Sequence, residues 1–154
     1  MDLEAIRQRL QDRFPESITE GAVFRGEITV GLKAEMILPL CRFLYDDLHY
    51  NYLTDLCGVD HYPREPRFGV VYLLCAMQTR ERLRLKVALP GGDPRIASVV
   101  SVWKAADWME REAFEMYGIR FEGHPDLRPI LLPPGWEGCP LRKDYPLRGV
   151  GGNT

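Results

Sequence analysis

Half of the prolines and half of the glycines fall in the last quarter of this chain, among large apolar residues. From Gly118 onward there are six of the 12 prolines (Pro125, Pro129, Pro133, Pro134, Pro140 and Pro146) and seven of the 14 glycines. Proline fixes φ and withholds a backbone donor, so this stretch cannot continue as helix or sheet interior. A solvated linker would be polar. This stretch instead carries Phe121, Leu127, Ile130, Leu132, Trp136 and Tyr145, among others, and such side chains need burial. The physical solution is an extended arm laid along a surface, either of its own domain or of a partner. Three units are expected: a core over 1–118, an arm over 119–148 continuous with it, and a disordered tail over 149–154.

The rest of the chain alternates helical and strand periodicity. Leu3, Ile6, Leu10 and Phe14 form one helical stripe, with Asp2 as cap and Pro15 as stop. Gly26 separates a short strand at 22–25 from an alternating one at 27–32. Ile37, Leu40, Phe43, Leu44 and Leu48 return to helical spacing over 34–47, with Pro39 tolerable in the first turn. Three strands follow, over 50–62, 68–77 and 82–89. The second reads FGVVYLLCAM, a nearly continuous apolar run that suits a central strand covered on both faces. In the third, Leu83, Leu85, Val87 and Leu89 point one way, while Arg80, Arg82, Arg84 and Lys86 form a basic row on the other. Ile96, Val99, Val100 and Trp103 predict a further helix. A last one begins at Asp107, with Asp107 and Glu110 in capping-box spacing, and stops at Gly118. The whole is a compact α/β domain with an adhesive arm.

Several function classes recede on composition. The chain has 154 residues, 20 basic against 22 acidic, so it lacks the basic excess of a dedicated nucleic-acid binder. No apolar run approaches the ~20 residues of a membrane span. The acidic, spaced N-terminus resembles neither a signal nor a transit peptide, and a soluble cytoplasmic protein is the default. Cys41, Cys57, Cys75 and Cys139 lack close pairs, so buried reduced thiols are expected over metal ligands. Cys139, in a Gly-Cys-Pro turn, is the one expected nearest the surface.

Catalytic constellations are absent from the sequence: no G-x-S-x-G elbow, no P-loop and no G-x-G-x-x-G. Glu110 and Glu112 point about 200° apart on a helix and cannot be a carboxylate pair. Arg111 faces Glu115 at i, i+4. Glu110 shares a side with Phe114 and Tyr117, so a cation from the arm is its expected partner. His124, between Gly123 and Pro125, suits a turn residue bonded to backbone. Glu110 and His124 together would be the acid and base of a stand-alone small enzyme. The basic row would serve a nucleic-acid module, a second contact surface, or a solvated face answered by acids on the next strand.

The motifs from Trp108 to Leu147 carry a resemblance. Glu110-Arg111-Glu112, Glu115, Met116-Tyr117, His124, Arg128 and Ile130-Leu131 stand in one ordered pattern. WEGCPLRKDYPL follows over 136–147, and YLTDL over 52–56 and DPRI over 93–96 precede them. This resembles the 30 kDa subunit family of NADH–quinone oxidoreductase, respiratory complex I, over about 33–147. Cys139 stands where the family often has His, and Pro129 where many members have a basic residue. The chain also ends soon after the last motif, without the extension some members carry.

The resemblance implies an α+β fold, a two-layer sandwich with helices packed on a mixed sheet and a Pro-rich C-terminal arm. It implies a hydrophilic peripheral-arm subunit on the cytoplasmic side of the inner, or thylakoid-type, membrane. That subunit has no catalytic site and no cofactor, with FMN and iron–sulfur clusters held by partner subunits. It supports electron transfer from NADH to quinone by scaffolding the homologue of the quinone-site subunit, which is lettered D in that enzyme. The equivalent subunit of a membrane-bound hydrogenase or formate hydrogenlyase-type complex is the alternative. Interface residues expected are Glu110, Arg111, Glu112, His124, Arg128, Arg142, Lys143 and Asp144, with the two glutamates as counter-charges to the arm cations.

Overall fold

The computed structural model describes residues 3–149. The expected cap Asp2 and the tail beyond Gly149 lie outside the described residues. Among the described residues, seven strands and three helices run in the order α1 (Leu3–Arg13), β1 (Ile18–Phe24), β2 (Glu27–Leu32), α2 (Ile37–Asp46), β3 (Tyr52–Asp60), β4 (Phe68–Ala76), β5 (Glu81–Leu89), β6 (Arg95–Ala97), α3 (Ala106–Tyr117) and β7 (Arg120–Glu122). A 3-10 turn at Ala34–Met36 leads into α2, and Pro39 falls in that helix's first turn.

Five strands form one sheet in the order β1-β2-β5-β4-β3. Its central pair, β2 with β5, is parallel, and the other pairs are antiparallel. The sheet is therefore mixed. The crossover from β2 to β5 is made by α2, β3 and β4, as a parallel pair requires. Alternation sets which face is buried. Ile28, Val30, Tyr72, Leu74, Leu83 and Leu85 all point beneath the helices and are almost fully buried. Ile6 and Leu10 of α1 join the same core, as do Ile37, Leu40 and Leu44 of α2. The third helix packs on β3 at Gly58, where an added Cβ would come within 2.5 Å of the Tyr117 ring. Only glycine permits that approach.

Two expectations fail here. The helix predicted from Ile96 is a short strand, β6, pairing in parallel with β7 from beyond α3. What remains of the helical stripe is one turn, where Val102 and Trp103 donate to the Val99 carbonyl. The second failure is the cover of β4. Its outward residues Val71, Leu73 and Cys75 stay only half-buried, because no described element of the chain lies over that face.

The arm begins later than the change of composition. Ile119 and Phe121 are buried, and β7 belongs to the core. From Gly123 to Gly149 the chain forms turns without helix or strand.

Candidate functional site

Three polar clamps hold the arm, and each grows from a different local feature of the core. The first lies at the start of α3. No side chain caps this helix, so the expected capping box does not form. Glu110 turns inward and is fully buried. Its carboxylate accepts from the Ser98 hydroxyl at 2.6 Å and the Val99 N–H at 2.7 Å. These bonds replace the arm cation expected for it. Burial pushes Glu110 up to about 7, against the pull of those two hydrogen bonds and with help from the Asp107 charge. The His124 ring is buried beside it, with Nε2 4.0 Å from the Glu110 carboxylate and 3.2 Å from both Asp107 Oδ1 and the Asp107 carbonyl. Nδ1 accepts from the Asp126 N–H at 2.9 Å. In the neutral ring the proton therefore sits on Nε2, facing Asp107. Glu110 and His124 do come together, and both side chains are sealed from solvent.

The second clamp is Glu115, which sequence reasoning treats only as a helix-surface charge. Its carboxylate accepts from three successive arm N–H groups, Ile130 at 3.1 Å, Leu131 at 2.9 Å and Leu132 at 2.7 Å. Burial alone would raise its pKa, but those three donors and the Arg111 charge outweigh it and hold Glu115 below its ordinary value. A proline-rich stretch cannot satisfy its amides in a ladder, and here one carboxylate satisfies three of them. Arg111 adds a bond from Nε to the Arg128 carbonyl at 2.9 Å and stacks 5.0 Å over the Trp108 ring. The Arg128 guanidinium itself pairs with Asp126, at 2.6 and 2.7 Å. Glu112 is exposed and has no ion-pair partner among the described residues, so neither glutamate expected as a counter-charge plays that part.

The third clamp uses the Leu141–Asp144 motif. Gly118 ends α3 with φ of 77°, its N–H donating to the Phe114 carbonyl. Arg142 donates from Nε to the Tyr117 carbonyl at 2.7 Å, filling an orphan acceptor of the helix end, and lies 5.0 Å over the Phe68 ring. The Lys143 N–H donates to Asp60 at 2.8 Å. Asp144 meets Arg67 at 2.6 and 3.0 Å, and Arg67 also grips Asp60 at 2.9 and 3.0 Å. The Arg67 guanidinium holds the Asp60 carboxyl well below the usual carboxylate range, with the Lys143 and Tyr62 N–H groups assisting. Arg67 and Asp60 are the functional residues that sequence reasoning misses. They are far from the arm in sequence, and only the pairing of β3 with β4 brings them beside it.

The arm turns several backbone amides and the Asp144 carboxylate toward the core, and it presents large apolar side chains outward beside exposed Arg128, Glu137 and Lys143. Leu131, Trp136, Leu141 and Leu147 are exposed. A cleft of about 470 Å³ opens between α3 and the arm, lined by Phe114, Pro129, Leu132, Pro133, Trp136 and half-buried Cys139. Among the described residues, no group of three or more His, Cys, Asp or Glu is placed to hold a metal ion, and no helix is long and apolar enough to cross a membrane.

Residues 30–150, which include all three clamps, match the family model for the 30 Kd subunit of the respiratory-chain NADH dehydrogenase. The chain belongs to this family. Its relatives include the C subunit of the NADH-quinone oxidoreductase of Geotalea uraniireducens, 47% identical over 92% of this chain and 86% of the relative. The same subunit of a Roseiflexus species is 46% identical over 96% and 86%. A solved structure of a trypsin-resistant fragment (1–134) of Nqo5 is 32% identical, with a TM-score of 0.70 over 82% of this chain and all of that one. A chain of the membrane-bound sulfane sulfur reductase, an archaeal respiratory membrane complex, shares the fold at 24% identity, with a TM-score of 0.80 over 94% of this chain and 85% of its own. The α+β sandwich and the family implied by the motifs are both borne out.

Proposed function

We propose that this 30 kDa-family chain is a cofactor-free, hydrophilic subunit in the peripheral arm of an NADH-quinone oxidoreductase. It carries no active site of its own. It supports electron transfer from NADH to quinone by scaffolding the quinone-site subunit, on the cytoplasmic side of the membrane. FMN and iron–sulfur clusters sit in partner subunits. The relatives, named as the C subunit of that enzyme, support the assignment. The observation that carries the scaffolding role is the arm itself. Asp144 on Arg67 and three arm amides on Glu115 fix it to the core, while Leu131, Trp136, Leu141 and Leu147 face outward where a partner would cover them.

The test is a stop after Glu122, expressed in a strain lacking the full chain. The truncated protein should fold, fail to join the complex and leave the membranes without NADH-driven quinone reduction. Assembly at normal level would refute the scaffolding role.

A further inference from the structure

The third arm clamp occupies one end of the sheet, where Asp60 and Phe68 pair. The other end has, on the open face away from the helices, a band that is apolar on the outer strands and charged in the middle. Register runs it across all five strands: Phe24 beside Glu27, then Arg82 and Arg84, then Cys75 and Leu73, then Tyr52. Phe24 is 68% exposed, Met77 57% and Tyr52 50%. Between them lies a hollow of about 330 Å³, with Tyr52, Leu73, Cys75 and Met77 on one side and Arg82 and Arg84 on the other.

We propose that this band is a second docking surface, taking an apolar segment of another subunit that also carries Asp or Glu. The inference rests on the chain working within an assembly, but not on the arm being the contact. Two observations carry it. The first is β4, whose continuous apolar run is the pattern of a strand covered on both faces, whereas the described residues cover only one. A partner would supply the second cover. The second is charge. Arg82, Arg84 and Lys86 of β5 line the face, and Glu27 answers two of them, at 2.9 Å to Arg84 and 3.7 Å to Arg82. No carboxylate pairs with Lys86 among the described residues, and Arg80 stands in the turn before the strand, at φ of 60°. A second copy docked about a two-fold axis would set this basic row against itself, so the occupant is a different chain bearing the opposite charge. The hollow suits one large apolar anchor, and the arginines beside it suit a flanking carboxylate.

The experiment uses the assembled complex, with the photo-crosslinker p-benzoylphenylalanine in place of Met77 or, separately, of Trp136 on the arm. Irradiation at position 77 should give an adduct with another subunit, mapping to an apolar stretch within a few residues of Asp or Glu. Arg82→Glu in the same protein should cut that adduct at least tenfold, and Arg82→Lys should retain it. The proposal is overturned by silence at 77, by an adduct to lipid alone or to a second copy of this chain, or by an adduct indifferent to Arg82→Glu. Silence at 136 counts instead against the arm as the partner contact, so the two readings fail separately.

Discussion

The core and the arm hold together by different means. In the core, Ile28, Tyr72 and Leu85 are removed from water, and strand register decides which side chains meet. In the arm almost nothing is fully buried, and position comes from carboxylates that catch backbone N–H groups or a shared arginine. Apolar burial is indifferent to the charge state of the protein. The clamps depend on it, because Glu115, Asp60 and Asp144 hold the arm as anions. A segment built this way can be released without unfolding what it lies on.

That contrast breaks most visibly under a core deletion. Leu85→Ala should cost about 4 kcal/mol, the range for a buried leucine, and lower hydrogen-exchange protection in core and arm together. Arg67→Ala should cost about 3 kcal/mol, because it leaves the Asp60 carboxylate buried without its cation. Exchange protection should fall first around 139–145. Equal loss across β4 would show that core and arm unfold as one unit, which the contrast forbids. Glu115→Gln should cost about 2 kcal/mol, since a carboxamide offers one oxygen where three N–H groups now bond. Amides 130–132 should then exchange freely while the α2 core stays protected.

The pH dependence runs in two directions. Glu110 is raised from 4.5 to about 7. The unfolded chain gives up this proton first, so stability falls as pH rises from about 4.5 to about 7. Glu110→Gln should flatten that limb in denaturant melts at pH 5 and pH 7.5. The lowered carboxyls act oppositely. The stability contributed by Asp60 and Asp144 is present above 3.8, and is lost as pH falls further. Acid should therefore free the arm before it melts the sheet. Arg128→Ala is the smallest change: the exposed guanidinium pairs only with Asp126, so melting should not move measurably. Arg111 binds the Arg128 carbonyl, which the substitution leaves in place.

Strand β5 was legible because Leu83, Leu85, Val87 and Leu89 alternate with Arg82, Arg84 and Lys86, and β4 because its apolar run is nearly continuous. The C-terminal stop of α3 was legible too, since Gly118 supplies the left-handed conformation needed there. Residues 95–103 misled because Ile96, Val99, Val100 and Trp103 have helical spacing, while the strand partner of Ile96 is Phe121, beyond a whole helix. Glu110 misled for a related reason. Charge logic asks a buried acid for a cation, and nothing in the sequence shows that Ser98 and the Val99 N–H will be delivered to it. The motif residues Arg142, Lys143 and Asp144 were recognised as anchors, but their receivers Tyr117, Asp60 and Arg67 belong to other elements, and no periodicity connects them.

The third clamp also imposes an order in time. A ribosome delivers Asp60 and Arg67 long before Asp144, and the strands that carry them pair as neighbours along the chain. The receiving half is thus in place before the arm motif emerges. Seating Asp144 follows the pairing of those strands, and a chain without Asp144 leaves Arg67 held by Asp60 alone, distinguishable by the state of a single guanidinium.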